Sequence, residues 1–431
     1  MTDRRSVSTG IVVLLFVNFM LATITAMAAP LGNVWNFRYE WAGMWGNMMN
    51  FSAYLLMGVP AGKLLKRIGY KRSLVFALGV GVLGVAVQLL SSYFGADISV
   101  LKIHGDLVCL NFLLYLLGAF VCGFCVCILN VVVSPMMYLL AGGGDRGTQF
   151  NQFAGAANSL GQTLTPMIVG AMIGTVTART SMLDVTPLLY ACLLVLIASI
   201  VVISFMDIAE PRQASSERYE SSPWHFRHFV LGAVAIFFYT AIEVGIPAEL
   251  NFYITGITGE NGAAAGGAIA AMYWLLMMIG RAMGGILATR FSTRTQLLCT
   301  VSAAMLLILI AILIPSGIFV SIPGYSVSGG FSMFRVPLST LFLVLCGLCT
   351  SVMWSCIFGL SVAGLGKYTE EASGIFMMMI CGGGVLPLLQ DMMAKSFGAI
   401  NSYWLVFAML VFLLYYGVWG CRRVDNGIKT D

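Results

Sequence analysis

Apolar runs of twenty residues or more follow one another along almost all of this 431-residue chain. In lipid every backbone amide and carbonyl must be satisfied within the chain, which leaves only helices and closed barrels. Barrel strands alternate over about 10 residues, whereas these runs are continuous and long enough to span a bilayer as helices. Charge is scarce to match. The chain is 59% hydrophobic and 10% charged, with a mean hydropathy of +0.92, where a soluble domain carries about 25% charged residues.

The runs define twelve predicted transmembrane helices, at about 10–29, 42–62, 73–93, 107–140, 150–174, 187–206, 228–253, 264–288, 296–319, 337–364, 373–394 and 402–421. The fourth is too long for one crossing, so its Pro135 end is expected to bend or leave the bilayer. Polar residues 208–227 separate an N-terminal six-helix bundle, 1–207, from a C-terminal one, 228–431. Arg4 and Arg5 ahead of Ala26-Met27-Ala28 imitate a cleavable secretory signal. Cleavage would leave eleven spans and break the pairing of halves, so this segment is read as the first span.

That pairing is visible as an internal repeat. Gly161-Gln-Thr-Leu-Thr-Pro166 matches Gly382-Gly-Gly-Val-Leu-Pro387 at an offset of 221, and Gly62 and Arg67 match Gly285 and Arg290 at 223. Two landmarks at nearly one offset point to parallel six-helix repeats around a midplane site, an all-α architecture suited to alternating access. Loop charges orient it. With the N-terminus in the cytoplasm, only Arg38, Lys102, Arg179, Arg335 and Lys395 of the 23 Lys and Arg fall outside, with Arg281 within a span. The positive-inside rule then places both termini in the cytoplasm of a bacterial inner membrane. The net charge of +5 follows from this bias and implies no nucleic-acid partner.

Other chemistries find little support. Nearly all of the eleven cysteines, among them Cys122, Cys125 and Cys127, sit inside apolar runs and read as packing residues rather than zinc ligands. The 26 methionines read as adaptable packing. Neither Ala141–Gly144 nor Gly382–Gly384 precedes the Lys-Ser/Thr of a phosphate loop. No H-E-x-x-H, G-x-S-x-G or paired catalytic carboxylates occur, so neither an enzyme nor a bound cofactor or metal is expected.

The turn after the second span reads Gly62-Lys-Leu-Leu-Lys-Arg67-Ile-Gly69-Tyr-Lys71-Arg72. It resembles the helix 2–3 motif of the major facilitator superfamily, with Lys66 at the usual acidic position, as in the fucose permease branch. Further matches to that branch are Ala42-Gly43 leading to Pro60-Ala61-Gly62, Asn158-Ser-Leu-Gly161, Glu243-Val-Gly-Ile246, Gly280-Arg281, Gly364-Leu-Gly366 and Gly382-Gly383 followed by Pro387. The resemblance implies a monosaccharide permease, typically a proton symporter, with the 62–72 turn as a conformational gate. The branch's acidic residue in helix 1 corresponds to neutral Thr25-Ala26, its helix 4 glutamate to Asn130, its helix 5 glutamine to Gly155 and its helix 10 proline to Ser355. The groups that carry the proton and several sugar contacts in that branch are therefore replaced here.

Candidate site residues follow from the cost of polarity in lipid. A charge near the bilayer centre costs about 2.5–3.5 kcal/mol by insertion scales, so Glu243 and Arg281 need partners or water. Glu243 reads as the proton-coupling site or a contact for a substrate hydroxyl. Equally, it reads as half of a structural pair with Arg281, which can alternatively snorkel to the inner interface. Glu249, nearer the outer end, is expected to face solvent. Polar stripes mark a cavity face: Asn151, Gly155, Asn158, Gln162 and Thr165 in the fifth span, and Asn47, Asn50 and Tyr54 in the second. With Asn18, Thr25 and Asn130 they supply amides and hydroxyls that suit a sugar, or that bond helix to helix. Trp274 and Trp354 are candidates to stack on a sugar face, against a role as packing or interface anchors.

The leading expectation is thus a monomeric, proton-coupled importer of a sugar. An exporter of drugs or other small organic molecules is the alternative, because Gly161-x-x-x-Thr165-Pro166-x-x-Val169-Gly170 partly matches an antiporter motif. A sensor or membrane enzyme would need an appended domain, for which the polar loops leave no room.

Overall fold

The computed structural model describes residues 4–103, 105–141, 144–174, 176–177, 180–206, 222–259, 261–287, 290–315, 317–326, 330–365 and 368–422. The predicted 208–227 linker lies outside them up to residue 221, as do Arg179 and Arg423, and the side chains of Lys66 and Asn151.

The first pass is α1 (Arg4–Ala26) and α2 (Ala28–Arg38), which meet at Met27. Then come α3 (Trp45–Ile68), α4 (Tyr70–Tyr93), strands β1 (Ser99–Ile103) and β2 (Asp106–Cys109), α5 (Leu110–Leu140), α6 (Gly144–Ile173) and α7 (Thr186–Phe205). The second half runs α8 (Arg227–Thr258), α9 (Gly262–Leu287), α10 (Thr293–Leu313), β3 (Phe319–Ser326), β4 (Gly330–Pro337), α11 (Leu338–Thr350), α12 (Met353–Val362), α13 (Thr369–Met378), α14 (Gly382–Phe397) and α15 (Ala399–Tyr415). With α11–α12 and α13–α14 each forming one broken pass, the described residues make twelve passes.

Among the described residues, ten helical segments are long and apolar enough to span a membrane. The two long helices outside that set are α3 and α6. These are the helices that carry the polar stripes, so their lower hydropathy reflects what they face rather than a failure to cross.

Sequence and structure differ in several local places. Pro135 sits inside helix α5, which continues to Leu140 over 31 residues. The predicted starts and ends near 107 and 319 are strands. Each half inserts an antiparallel hairpin between its third and fourth passes, β1–β2 and β3–β4. Their apolar side chains had lengthened the hydropathy runs. Gly105 and Gly330 take positive φ at the hairpin turns, where a Cβ would be strained.

The two halves are pseudo-symmetric bundles. One apolar core runs from Val13 to Ile203 and takes in Ala263, Met377 and Ile380 of the second half; another runs from Ala235 to Cys421, and Trp354 packs against both. The repeat is also visible in close packing. Gly161 of α6 lies against the Phe19 carbonyl of α1, and Gly382 of α14 lies against the Phe237 carbonyl of α8, so the fifth pass of each half packs on the first through its repeat glycine. Between halves the same helices cross over. The Gly170 face of α6 meets Ala263 and Gly267 of α9, while Gly383 and Gly384 of α14 meet Phe51 of α3. Small residues at such crossings let backbones approach closely, which is how helices gain dispersion energy where lipid offers no hydrophobic drive.

Candidate functional site

A cavity of about 40 Å³ lies where the two bundles face each other. From the first half it is lined by Thr25 and Ala26 of α1, Ala29 and Pro30 of α2, Asn47 of α3, and Gln162 and Pro166 of α6. Val244, Pro247, Ala248 and Asn251 of α8 and Ala270 and Trp274 of α9 complete it. The α8 residues recur at i, i+3, i+4 and i+7 and the α9 pair at i, i+4, so each helix offers one face. The junction of α1 and α2 at Met27 lies beside the cavity, with Ala26 before it and Ala29 and Pro30 after it in the lining.

The cavity exceeds the roughly 10–15 Å³ needed to hold a water. A small-molecule pocket takes about 300–1,000 Å³, so the bundles must part to admit a solute. Inter-bundle contacts lie on both sides of the cavity. On one side the Asn33 amide donates to Asn251 Oδ1 at 2.6 Å, and the Ala263 N–H donates to the Gly174 carbonyl at 3.0 Å. On the other, Arg281 Nη1 donates to the Gly155 carbonyl and to Ser159 Oγ, both at 2.8 Å. Asn47 Nδ2 donates to the Gly383 carbonyl at 2.8 Å between them.

Of the residues singled out in the sequence, Thr25, Asn47, Gln162 and Trp274 line the cavity. The amide oxygen of Gln162 is buried without a hydrogen-bond partner, and Trp274 stands edge-on to Tyr273 at 5.3 Å. Asn50 and Asn130 do not line it. Asn50 is buried with its oxygen unpartnered, and Asn130 donates to the Tyr54 hydroxyl at 2.6 Å. Asn158 is half-buried one turn before Gln162, and Trp354 packs edge-on to Phe376 at 5.6 Å. Asn50 and Asn158 share α3 and α6 with lining residues, whereas Asn130 and Trp354 belong to α5 and α12, which do not line the cavity.

Glu243 and Arg281 meet at 3.1 Å, with side chains only 13% and 12% exposed. The Tyr239 hydroxyl lies beside the same carboxylate and also donates to the Thr350 carbonyl at 3.1 Å. Because Arg281 simultaneously holds Gly155 and Ser159 of the other half, the pair sits in the interface itself.

In the 62–72 turn, Gly69 takes φ 84° between α3 and α4, a conformation only glycine adopts without strain. Lys71 Nζ donates to the Ser204 and Met206 carbonyls at 3.0 and 2.7 Å, capping the end of α7. Arg67 and Arg72 are exposed, and Gly62 has open space around it.

Two polar residues escaped sequence reasoning. Asn251 has a buried Nδ2 without a partner and lines the cavity. Glu249 was expected to face solvent; it is 4% exposed, covered by α14. Its four-residue step from Gly245, a glycine that admits close packing, is the signal that could have turned it inward. Among the described residues no group of His, Cys, Asp and Glu could hold a metal ion.

The sequence profile of the Major Facilitator Superfamily matches residues 11–387. A glucose/galactose transporter of Brucella abortus biovar 1 (strain 9-941) is 27% identical over 426 residues, covering 96% of this chain and 94% of the relative. The L-fucose-proton symporter of Escherichia coli (strain K12) is 23% identical over 395 residues, covering 85% and 81%. A crystal structure of the Escherichia coli fucose:proton symporter superposes with a TM-score of 0.68 at 18% identity, covering 96% of this chain and 98% of that one. A second, in an outward conformation, gives 0.66. At this identity the structural likeness shows the fold.

Proposed function

The chain belongs to the Major Facilitator Superfamily, and on that premise we propose that it imports a monosaccharide by alternating access, driven by protons. The observation that carries this reading is the lining of the central cavity. Asn47, Gln162 and Asn251 offer amides from both halves, Trp274 offers an aromatic surface, and no ionisable side chain intrudes. Amides donate and accept at once, as a ring of hydroxyls requires, while the apolar face of a sugar suits an indole. A neutral polyol fits such a lining. The relatives named for glucose, galactose and L-fucose support the same class.

Substrate held by groups of both bundles draws them together, and contacts on either side of the cavity open in turn. Glu243 is the coupling acid within the first reading: a proton on its carboxylate weakens the hold on Arg281, and with it the tie to Gly155 and Ser159. Asn50, Asn130, Asn158 and Trp354 lie outside the closed cavity and come within reach as the bundles rock. The protein acts as a monomer without catalytic chemistry, in a bacterial inner membrane with both termini cytoplasmic, its bundles spanning 1–207 and 228–431 about the linker. The exposed Arg67 and Arg72 and the half-buried Lys71 then lie at the inner surface, where the 62–72 turn with Gly62 and Gly69 gates the rocking.

A thermal-shift screen of the purified protein against D-glucose, D-galactose, L-fucose and amino sugars tests the reading. A sugar at 100 times its Kd stabilises the folded state by about 2.7 kcal/mol, so a raised melting point with one or more hexoses is expected. No shift with any sugar, together with shifts from lipophilic cations, would replace the reading with that of an exporter.

A further inference from the structure

Helix α8 carries a second acid six residues beyond Glu243, about 9 Å along its axis. Glu249 is 4% exposed, and its Oε2 has no hydrogen-bond partner. Across from it on α14 is Asp391, equally buried, whose Oδ2 accepts from Lys395 Nζ at 2.7 Å. The neighbouring Gln390 is 1% exposed and leaves both amide atoms unpartnered, with its oxygen against Gly245, one turn from Glu249. Among the described residues, the other titratable groups facing the site are phenols. Tyr403 of α15 donates to the Ile246 carbonyl at 3.1 Å, and Tyr253 lies one turn along α8.

The site holds two carboxyls and one ammonium. Lys395 is committed to Asp391, so an ionised Glu249 would place an uncompensated charge and a bare oxygen in a dry bundle, at a cost of several kcal/mol. One proton removes the imbalance. Lys395, whose side chain is 31% exposed, connects the pair to water at the end of the bundle where α14 finishes.

We propose that Glu249 and Asp391 share one exchangeable proton and form the proton-uptake site of the C-terminal bundle, with Glu243 the next acceptor along α8. This rests on the transport reading above. The proton comes from water at the Lys395 end, binds a carboxylate oxygen of the pair, and leaves towards Glu243 when water enters the opened cavity beside Ala248 and Asn251. Its effect reaches the interface through α14, whose first turn accepts the Asn47 hydrogen bond at Gly383 and packs on Phe51. A charge change at Asp391 thus acts on the helix that docks against the other half.

Infrared titration of the purified protein, from mildly acidic to alkaline pH, reads the proton without any sugar. The wild type is expected to show a buried carboxylic-acid carbonyl band that bleaches at alkaline pH. Glu249→Gln should remove it and Glu243→Gln should leave it. Asp391→Asn should also remove it, because Lys395 then neutralises Glu249. In proteoliposomes, Glu249→Gln should still exchange labelled D-galactose but accumulate it only to equilibrium under an inward proton gradient. A band that survives Glu249→Gln, or wild-type accumulation by that variant, overturns the proposal. Failure of the wild type to move D-galactose, D-glucose or L-fucose would instead count against the transport reading, while the infrared result still decides the proton site.

Discussion

Arg281 holds Glu243 at 3.1 Å while the same guanidinium donates to the Gly155 carbonyl of the opposite half. One side chain therefore ties an intramembrane acid to the surface along which the two bundles must separate. Breaking a buried ion pair from one side leaves the other charge uncompensated, typically at about 3–5 kcal/mol, whereas removing both often costs little. Glu243→Gln and Arg281→Gln should each lower the melting temperature in detergent. The double variant should be more stable than the sum of the two losses, and additive losses would mean that the pair is not coupled.

Gln162 presents a buried, unpartnered oxygen to the cavity. Replacing it with alanine removes no hydrogen bond that the substrate-free protein makes through that oxygen, so stability should change little. A hydrogen bond to a sugar hydroxyl is worth about 0.5–1.5 kcal/mol. Gln162→Ala should therefore weaken sugar binding by up to roughly tenfold, measured as a smaller thermal shift at fixed sugar concentration.

The crossing of α6 and α9 depends on Gly267, where a Cβ would meet the Pro166 carbonyl and the Gly170 Cα. Gly267→Val should force these helices apart on the Asn33–Asn251 side of the cavity. A cysteine placed at Ala270 should then label faster with a membrane-impermeant maleimide added from outside, and sugar uptake should fall. Unchanged labelling would show that this contact does not close the outer side.

Much of this arrangement is legible in the sequence, and the rest fails for one physical reason. Hydropathy reports depth in the bilayer, so the twelve crossings and the intramembrane Glu243 and Arg281 follow from it, while the two-fold repeat follows from the matched glycine, proline and arginine landmarks. The polar stripes of α3 and α6 also point to the central face, since lipid would reject them. Rotation to the nearest residue depends on partner helices that hydropathy does not see. Gln162 reaches the cavity while Asn158, one turn away, does not. Glu249 looks solvent-facing by its distance from the bundle centre, yet α14 covers it. The breaks at Met27 and at Met379–Cys381 leave no gap in hydropathy and so were read as continuous spans.

The Asn33–Asn251 bond, 2.6 Å and buried, joins α2 of one half to α8 of the other. Cysteines at both positions, with the exposed Cys299 changed to serine, should crosslink readily under oxidation. The crosslinked protein should bind no external sugar until reduced. Free uptake by the fully crosslinked protein would show that the bundles need not part there.

The central claim is that the cavity between the bundles carries sugar at the expense of a proton gradient. Proteoliposomes loaded at neutral pH and diluted into acidic buffer with labelled D-glucose or D-galactose test it directly. Accumulation above the external concentration, abolished by a protonophore, is the expected result. Uptake that reaches the same level with and without the gradient would contradict it.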